Sequence, residues 1–153
     1  MNSRAIVKPG LRSTSGQTII EFAISALVFL LLLFSVVDFS YFYFVKLTLQ
    51  NAVRQAGRYA ITGQAMGTQS RYQSILQTTY DYSLGLANST NTTVCSLAKG
   101  CGSGGGPGDT VTITITYPYR FITPFIAHYF TGGSYTITVS TTFKNEPFPP
   151  SQT

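Results

Sequence analysis

The chain has 153 residues, few charged side chains (10%) and many aromatic ones (14%). This length allows one small domain and a membrane segment, and little more. The formal net charge of +5 is concentrated at the N-terminus. Without Arg4, Lys8 and Arg12, seven positive and five negative side chains remain, a net charge of +2. This balance, with no stripe of basic and aromatic residues, argues against nucleic acid as a partner.

The first 16 residues are polar, basic and interrupted by Pro9 and Gly10. Such a segment is typical of the n-region of an export signal or of a flexible cytoplasmic tail, not of a domain.

An apolar run follows, in which Glu21 and Asp38 are the only charged side chains between Ile19 and Val45. A hydrocarbon core of about 30 Å needs about 20 helical residues, and residues 22–41 supply them. The run is too long for a secretory h-region and lacks a following small-residue cut site, so it predicts a retained membrane span. The basic leader predicts a cytoplasmic N-terminus, with the residues beyond about 40 outside.

The outer end of this span is rich in aromatic residues. Residues 41–44 are predicted to form an aromatic belt at the outer interface, which Asp38 can also reach.

Glu21 has two interpretations. It can extend to the inner headgroups near the helix N-terminus, where the helix dipole favours an acid. Alternatively, it is an intramembrane acid that waits for a positive partner, since such residues are functional candidates. Gly16, five residues earlier, favours the second interpretation.

The sequence Gly-Gln-Thr-Ile-Ile-Glu-Phe at 16–22, behind a basic leader, resembles the cleavage motif of type IV prepilins and pseudopilins. The resemblance implies that a prepilin peptidase cuts between Gly16 and Gln17. Glu21 would then be the fifth residue of the mature chain and would pair with the N-terminal amine of a neighbouring subunit.

A narrower resemblance is to TadE-like proteins, which are pseudopilins or minor pilins of the tight-adherence (Tad) pilus. It is carried by residues 36–40 (VVDFS) and 51–60 (NAVRQAGRYA). Ser40 and Gly57 stand where the family usually has Gly and Ala, and the apolar run lacks the Pro that is often found there. The motif-bearing part, from about Gly16 to Gly63, is under a third of the chain.

The resemblance implies the partners and the location. The partners would be prepilin peptidase, a major pilin, a second minor pseudopilin, the inner-membrane pilus platform and the lipid bilayer. The protein would be single-pass in a bacterial inner membrane, with its C-terminal domain periplasmic, and either retained there or incorporated into a surface pilus. No cofactor is implied.

Residues 46–62 are predicted to continue the helix as a stalk. Leu49, Val53, Ala56 and Ala60 form one apolar stripe. Three small residues also recur at four-residue spacing and would let another helix approach closely: Ala52, Ala56 and Ala60. Arg54 and Arg58 are interpreted as a solvated face or a contact with anionic headgroups rather than a specific partner contact, and Gly63 as the end of the helix.

The remaining chain predicts a small α+β domain. A second amphipathic helix covers 69–83, and 100–108 reads as a flexible Gly-rich loop. Strict alternation predicts strands at 111–117 and 135–143, paired antiparallel, with a short helix near Pro124 between them and a third strand near 92–97. On export, Cys95 and Cys101 are expected to form a disulfide; free thiols and a metal site are the alternatives.

We therefore expect an α+β pilin-like "lollipop": leader 1–16, membrane and stalk helix 17–63, exported domain 64–146 and flexible tail 147–153. His128 is the only histidine, and no nucleophile elbow or phosphate-binding loop is present, so an enzyme and a metal site are not expected. The alternatives to a pilin-like subunit are an accessory protein that stays in the bilayer and an unrelated single-span protein with a binding domain.

Overall fold

The computed structural model describes residues 15–148. Arg4, Lys8, Arg12 and almost all of the predicted leader therefore lie outside the described residues, as does the predicted tail beyond Phe148. The chain divides into two compact units, the first ending at Val36 and the second beginning at Val37.

Helix α1 (Ser15–Ile61) runs without a break through the apolar segment and the predicted stalk. It contains no proline, and Gly16 and Gly57 are its only glycines, so nothing in its interior interrupts the hydrogen-bond ladder. The chain leaves it at Gly63, whose φ of 73° is the left-handed conformation predicted for this cap.

In the second unit, α2 (Arg71–Tyr82) is preceded by a complete capping box. The Ser70 side chain accepts from the backbone N–H of Gln73, and the Gln73 side chain accepts from that of Ser70. Ile75 and Thr79, one turn apart on one face of this helix, are buried. The amphipathic second helix is therefore confirmed, one to two residues shorter at each end than predicted.

The sheet has four antiparallel strands in the order β2-β1-β3-β4: β1 (Thr92–Ser96), β2 (Gly100–Cys101), β3 (Thr110–Arg120) and β4 (Ser134–Lys144). The predicted pairing of the two long strands is confirmed. Both extend beyond the predicted ends, β3 through Pro118, which lies past the part of β3 that β1 covers. A proline is tolerated at such an edge because its missing N–H has no strand to meet. Between β3 and β4 lie α3 (Pro124–Ala127) and a 3-10 turn, Thr131–Gly133.

The C-terminal part of α1 packs in the core with the sheet. The predicted apolar stripe is buried together with Val111, Ile113 and Ile115 of β3. Gly57 approaches β4 so closely that a Cβ there would lie 3.2 Å from the ring of Phe143. An alanine here would require the ring of Phe143 to shift by a few tenths of an ångström. The predicted α+β class is confirmed.

The row Ala52, Ala56 and Ala60 was predicted to let another helix approach closely. In the structure all three side chains are fully buried in the chain's own core.

Candidate processing and assembly site

The predicted processing and assembly residues lie in the first two turns of α1. Gln17 and Glu21 are one turn apart, and the Gln17 side-chain amide donates a hydrogen bond of 3.0 Å to the Glu21 carboxylate. Both side chains are exposed. Because the carboxylate accepts from a neutral amide, its negative charge is left available to a positive group outside the chain.

Gly16 occupies open space. A Cβ built on it meets no atom within 4 Å, and its backbone is not in the left-handed region. Nothing in the described structure requires glycine at this position.

The face of α1 beyond Glu21 has the properties of a membrane span. The described part of the chain contains one helix long and apolar enough to cross a bilayer, with a mean hydropathy of 2.7 in its 18-residue window. Large apolar side chains in this window are exposed, including Phe22, Phe29 and Leu32. In water such a surface would be strongly unfavourable, so we assign α1 as a single-pass membrane anchor.

Asp38 does not have the place predicted for it. Instead of reaching an interface, its side chain is buried (1% exposed) and its two carboxylate oxygens accept the backbone N–H groups of Ile122 and Thr123, at 2.9 and 2.8 Å. It therefore ties the β3–β4 connection to α1. Of the predicted aromatic belt, Phe42 also turns inward, onto Tyr119, while Tyr41, Tyr43 and Phe44 are exposed.

We expect Asp38→Asn to lower the free energy of unfolding by about 2–3 kcal/mol, because one buried N–H loses its acceptor and the other loses a charge-assisted bond. Urea unfolding of the full chain in detergent micelles measures the loss. The control is Asp81→Asn: Asp81 is exposed and accepts from Gln77. It should change stability by less than about 0.5 kcal/mol. Equal losses in the two variants would contradict the anchoring role.

Tyr119 sits beside this anchor. It is 2% exposed, and its hydroxyl donates to the backbone carbonyl of Asp38 at 3.3 Å. Burial, followed by the negative charge of Asp38, raises the pKa of Tyr119 from 10.0 to about 12.

The raised pKa predicts a loss of stability at high pH. Below pH 10 both folded and unfolded Tyr119 are neutral, so this stabilisation is complete. Between pH 10 and about 12 the unfolded chain releases the proton and the folded chain keeps it, so stability falls. Tyrosinate absorbance should show a late step near pH 12 that is missing in Tyr119→Phe. A late step that survives this substitution would refute the assignment.

Arg71 is a buried cation that the sequence did not single out. It is 4% exposed and donates four hydrogen bonds of 2.6–2.8 Å, to the carbonyls of Ala60, Gly104 and Gly105 and to the side-chain oxygen of Asn145. Its guanidinium lies 4.4 Å from the ring centre of Phe148. The Gly-rich loop predicted to be flexible is therefore held at Gly104 and Gly105, which are buried.

The two cysteines lie opposite each other on β1 and β2 and are joined by a disulfide. The bond closes the turn between these strands at the edge of the sheet. A disulfide persists in oxidising compartments, which agrees with a location outside the cytoplasm.

The described residues contain few candidate catalytic or metal-binding groups. No three His, Cys, Asp or Glu side chains in 15–148 lie close enough together to hold a metal ion. His128 is exposed at the end of α3, with its ring near that of Tyr129.

A single apolar helix whose C-terminal part packs in a small disulfide-bonded α+β domain is typical of a membrane-anchored protein. Residues 16–58 match the family model described as TadE-like protein, which confirms the resemblance read from the sequence. The chain is thus TadE-like over this segment, and the match supports a pilin-like, structural protein associated with the Tad pilus. No curated protein and no solved structure matches the chain.

Proposed function

We propose that the chain is a minor pilin or pseudopilin of the tight-adherence pilus and acts in its assembly for surface attachment. The observation that carries the proposal is the TadE-like match, which begins at Gly16 and includes an exposed acid, Glu21, the only charged residue in the apolar segment 19–37 of α1. An acid in that position is costly unless another molecule supplies a positive charge.

In this proposal, prepilin peptidase removes residues 1–16 by cutting between Gly16 and Gln17. Residues 17–63 then anchor the protein, with the N-terminus cytoplasmic, and residues 64–146 lie in the periplasm. The partners are the major pilin, a second minor pseudopilin and the inner-membrane platform. The cytoplasmic N-terminus is supported by Arg4, Lys8 and Arg12.

N-terminal sequencing of the protein purified from the membrane of a Tad-pilus-bearing host tests the processing step. A mature chain that begins at Gln17 supports the proposal, and one that begins at Met1 refutes it. Recovery of the protein in sheared surface filaments, rather than in the membrane alone, would place it in the pilus and not among its membrane-bound accessory proteins.

Glu21→Gln tests the assembly step. The substitution keeps the side-chain length and an acceptor for the Gln17 amide, and removes only the charge. We expect normal cleavage, but co-purification with the other pilin-like subunits at least about tenfold lower, because an ion pair at low dielectric loses one partner at a cost of about 1.4 kcal/mol or more.

The matched control for this experiment is Glu146→Gln, the same chemical change at an exposed residue of the second unit. It should co-purify as the wild type does. If Glu21→Gln also co-purified undiminished, Glu21 would be a headgroup-facing residue without an assembly role.

A further inference from the structure

The connection between β3 and β4, residues 121–133 and here called the connector, has an unusual composition. No Asp, Glu, Lys or Arg occurs from 121 to 143. Three large side chains of the connector are nevertheless well exposed: Ile122 at 65%, Phe125 at 51% and Tyr129 at 74%. A segment that leaves such side chains uncovered, with no charge among them, is expected to meet an apolar partner.

The connector is held at a defined level of α1. Asp38 binds its backbone at Ile122 and Thr123, and the ring of Phe121 stacks on Phe42 at 6.3 Å. It also stacks on Phe130 within the connector, at 4.4 Å. The connector therefore lies beside residues 38–42 of the helix.

That level coincides with the outer edge of the predicted span. Asp38 lies three residues before the end of 22–41, which places it about 5 Å inside the boundary at 1.5 Å per residue. Around the same level α1 exposes Val37, Phe39 and Tyr41. The exposed side chains of the connector thus continue an apolar and aromatic surface that the helix already presents.

The backbone of the connector also suits an interface with little water. Unpaired N–H groups are costly at membrane depth. Pro124 has no N–H, and eight other residues of the connector donate theirs to acceptors within the chain: Phe121, Ile122, Thr123, Ala127, His128, Tyr129, Phe130 and Gly133. The carboxylate of Asp38 has no ion-pair partner among the described residues. It accepts two of these N–H groups, and its side chain is buried and not exposed to lipid.

The geometry points to a second membrane contact: the connector rests in the outer headgroup interface of the bilayer, with Ile122, Phe125 and Tyr129 inserted at its apolar boundary. Aromatic side chains favour this depth because one end of the interface is apolar and the other is wet. The contact would fix the height and rotation of the second unit above the membrane. It rests on α1 being a membrane anchor and not on cleavage or pilus assembly.

The absence of tryptophan from the chain makes the test direct. Phe125→Trp and Tyr129→Trp, each in the full chain, are reconstituted at about one molecule per vesicle in phosphatidylethanolamine–phosphatidylglycerol bilayers. Two sets of vesicles are used. In one the acyl chains carry bromine close to the headgroup, which quenches a tryptophan at the interface, and in the other they carry it near the chain ends, which quenches a tryptophan at the bilayer centre. Leu32→Trp reports on the anchor itself. Leu97→Trp is the aqueous control. Leu97 is 84% exposed and directly follows Ser96, the last residue of β1, which pairs with Val111.

We expect bromine close to the headgroup to remove more than half of the emission at positions 125 and 129, and bromine near the chain ends to remove more than half at position 32. Neither should change position 97. Quenching at 32 alone, with 125 and 129 open to aqueous acrylamide, would overturn the inference and leave the anchor intact. Positions 125 and 129 shielded from both quenchers would mean that protein covers the connector, which also overturns it. Loss of quenching at 32 would refute the anchor and the connector contact together.

Discussion

Replacing Gly16 by leucine is expected to leave the protein at precursor length, with Met1 still its first residue. The peptide bond at which we propose cleavage, between Gly16 and Gln17, lies in the first turn of α1. A peptidase must draw that turn into an extended conformation, and glycine lowers the cost, since it stabilises a helix by about 1 kcal/mol less than alanine does. A branched side chain next to the bond adds bulk and holds the turn helical.

The fold does not confound this experiment, because a side chain at position 16 meets no atom within 4 Å. The matched control is Ala23→Leu, which adds the same side chain to an exposed position of the same helix. We expect it to be cut normally. Circular dichroism in detergent should be unchanged in both variants. Cleavage of Gly16→Leu at the wild-type rate would remove the processing interpretation of Gly16.

Local sequence signals predicted the elements well where one face of the element is apolar. The 4-3-4 spacing of the α1 stripe and the alternation along β3 and β4 each encode a buried face, and the structure buries both. In each case the sequence separation between the informative residues is only a few positions.

The two polar anchors were not predictable in the same way. The partners of Asp38 are backbone N–H groups 84 and 85 residues further along the chain, and any residue but proline offers such a group. The acceptors of Arg71 include two glycine carbonyls and an asparagine 74 residues away. The sequence had placed Asp38 at the outer interface and had not singled out Arg71, because the partners of both side chains are set by tertiary packing.

The burial of the alanine row changes the view of assembly. With Ala52, Ala56 and Ala60 covered by the chain's own core, the contact surface of α1 in the second unit consists of its other faces, where Arg54, Arg58 and Leu47 are exposed. The first unit remains exposed around the helix. Contacts with other subunits are therefore expected to come mainly from the apolar segment and Glu21.

Arg71→Met is expected to cause a large loss of stability, about 3–5 kcal/mol, because it leaves buried partners of a charged group without their donor. The guanidinium joins four parts of the second unit: the end of α1 at Ala60, α2, the Gly-rich loop, and Asn145 after β4. In Arg71→Met, the side-chain amide of Asn145 can still donate hydrogen bonds to the carbonyls of Gly104 and Gly106. The loop is therefore expected to loosen but not to detach completely.

The positive charge of Arg71 is not expected to account for the whole loss of stability, and two further variants test this. Arg71→Lys keeps the charge but offers three donors on one nitrogen in place of a planar fork, so it should recover only part of the loss. Arg58→Met removes an exposed arginine of α1 and should change stability by less than about 0.5 kcal/mol. Urea unfolding of the three full-length variants in micelles, with hydrogen exchange at residues 104–106, measures both the global and the local effect. Equal stability of Arg71→Met and Arg58→Met would show that the Gly-rich loop and the end of α1 hold together without the guanidinium.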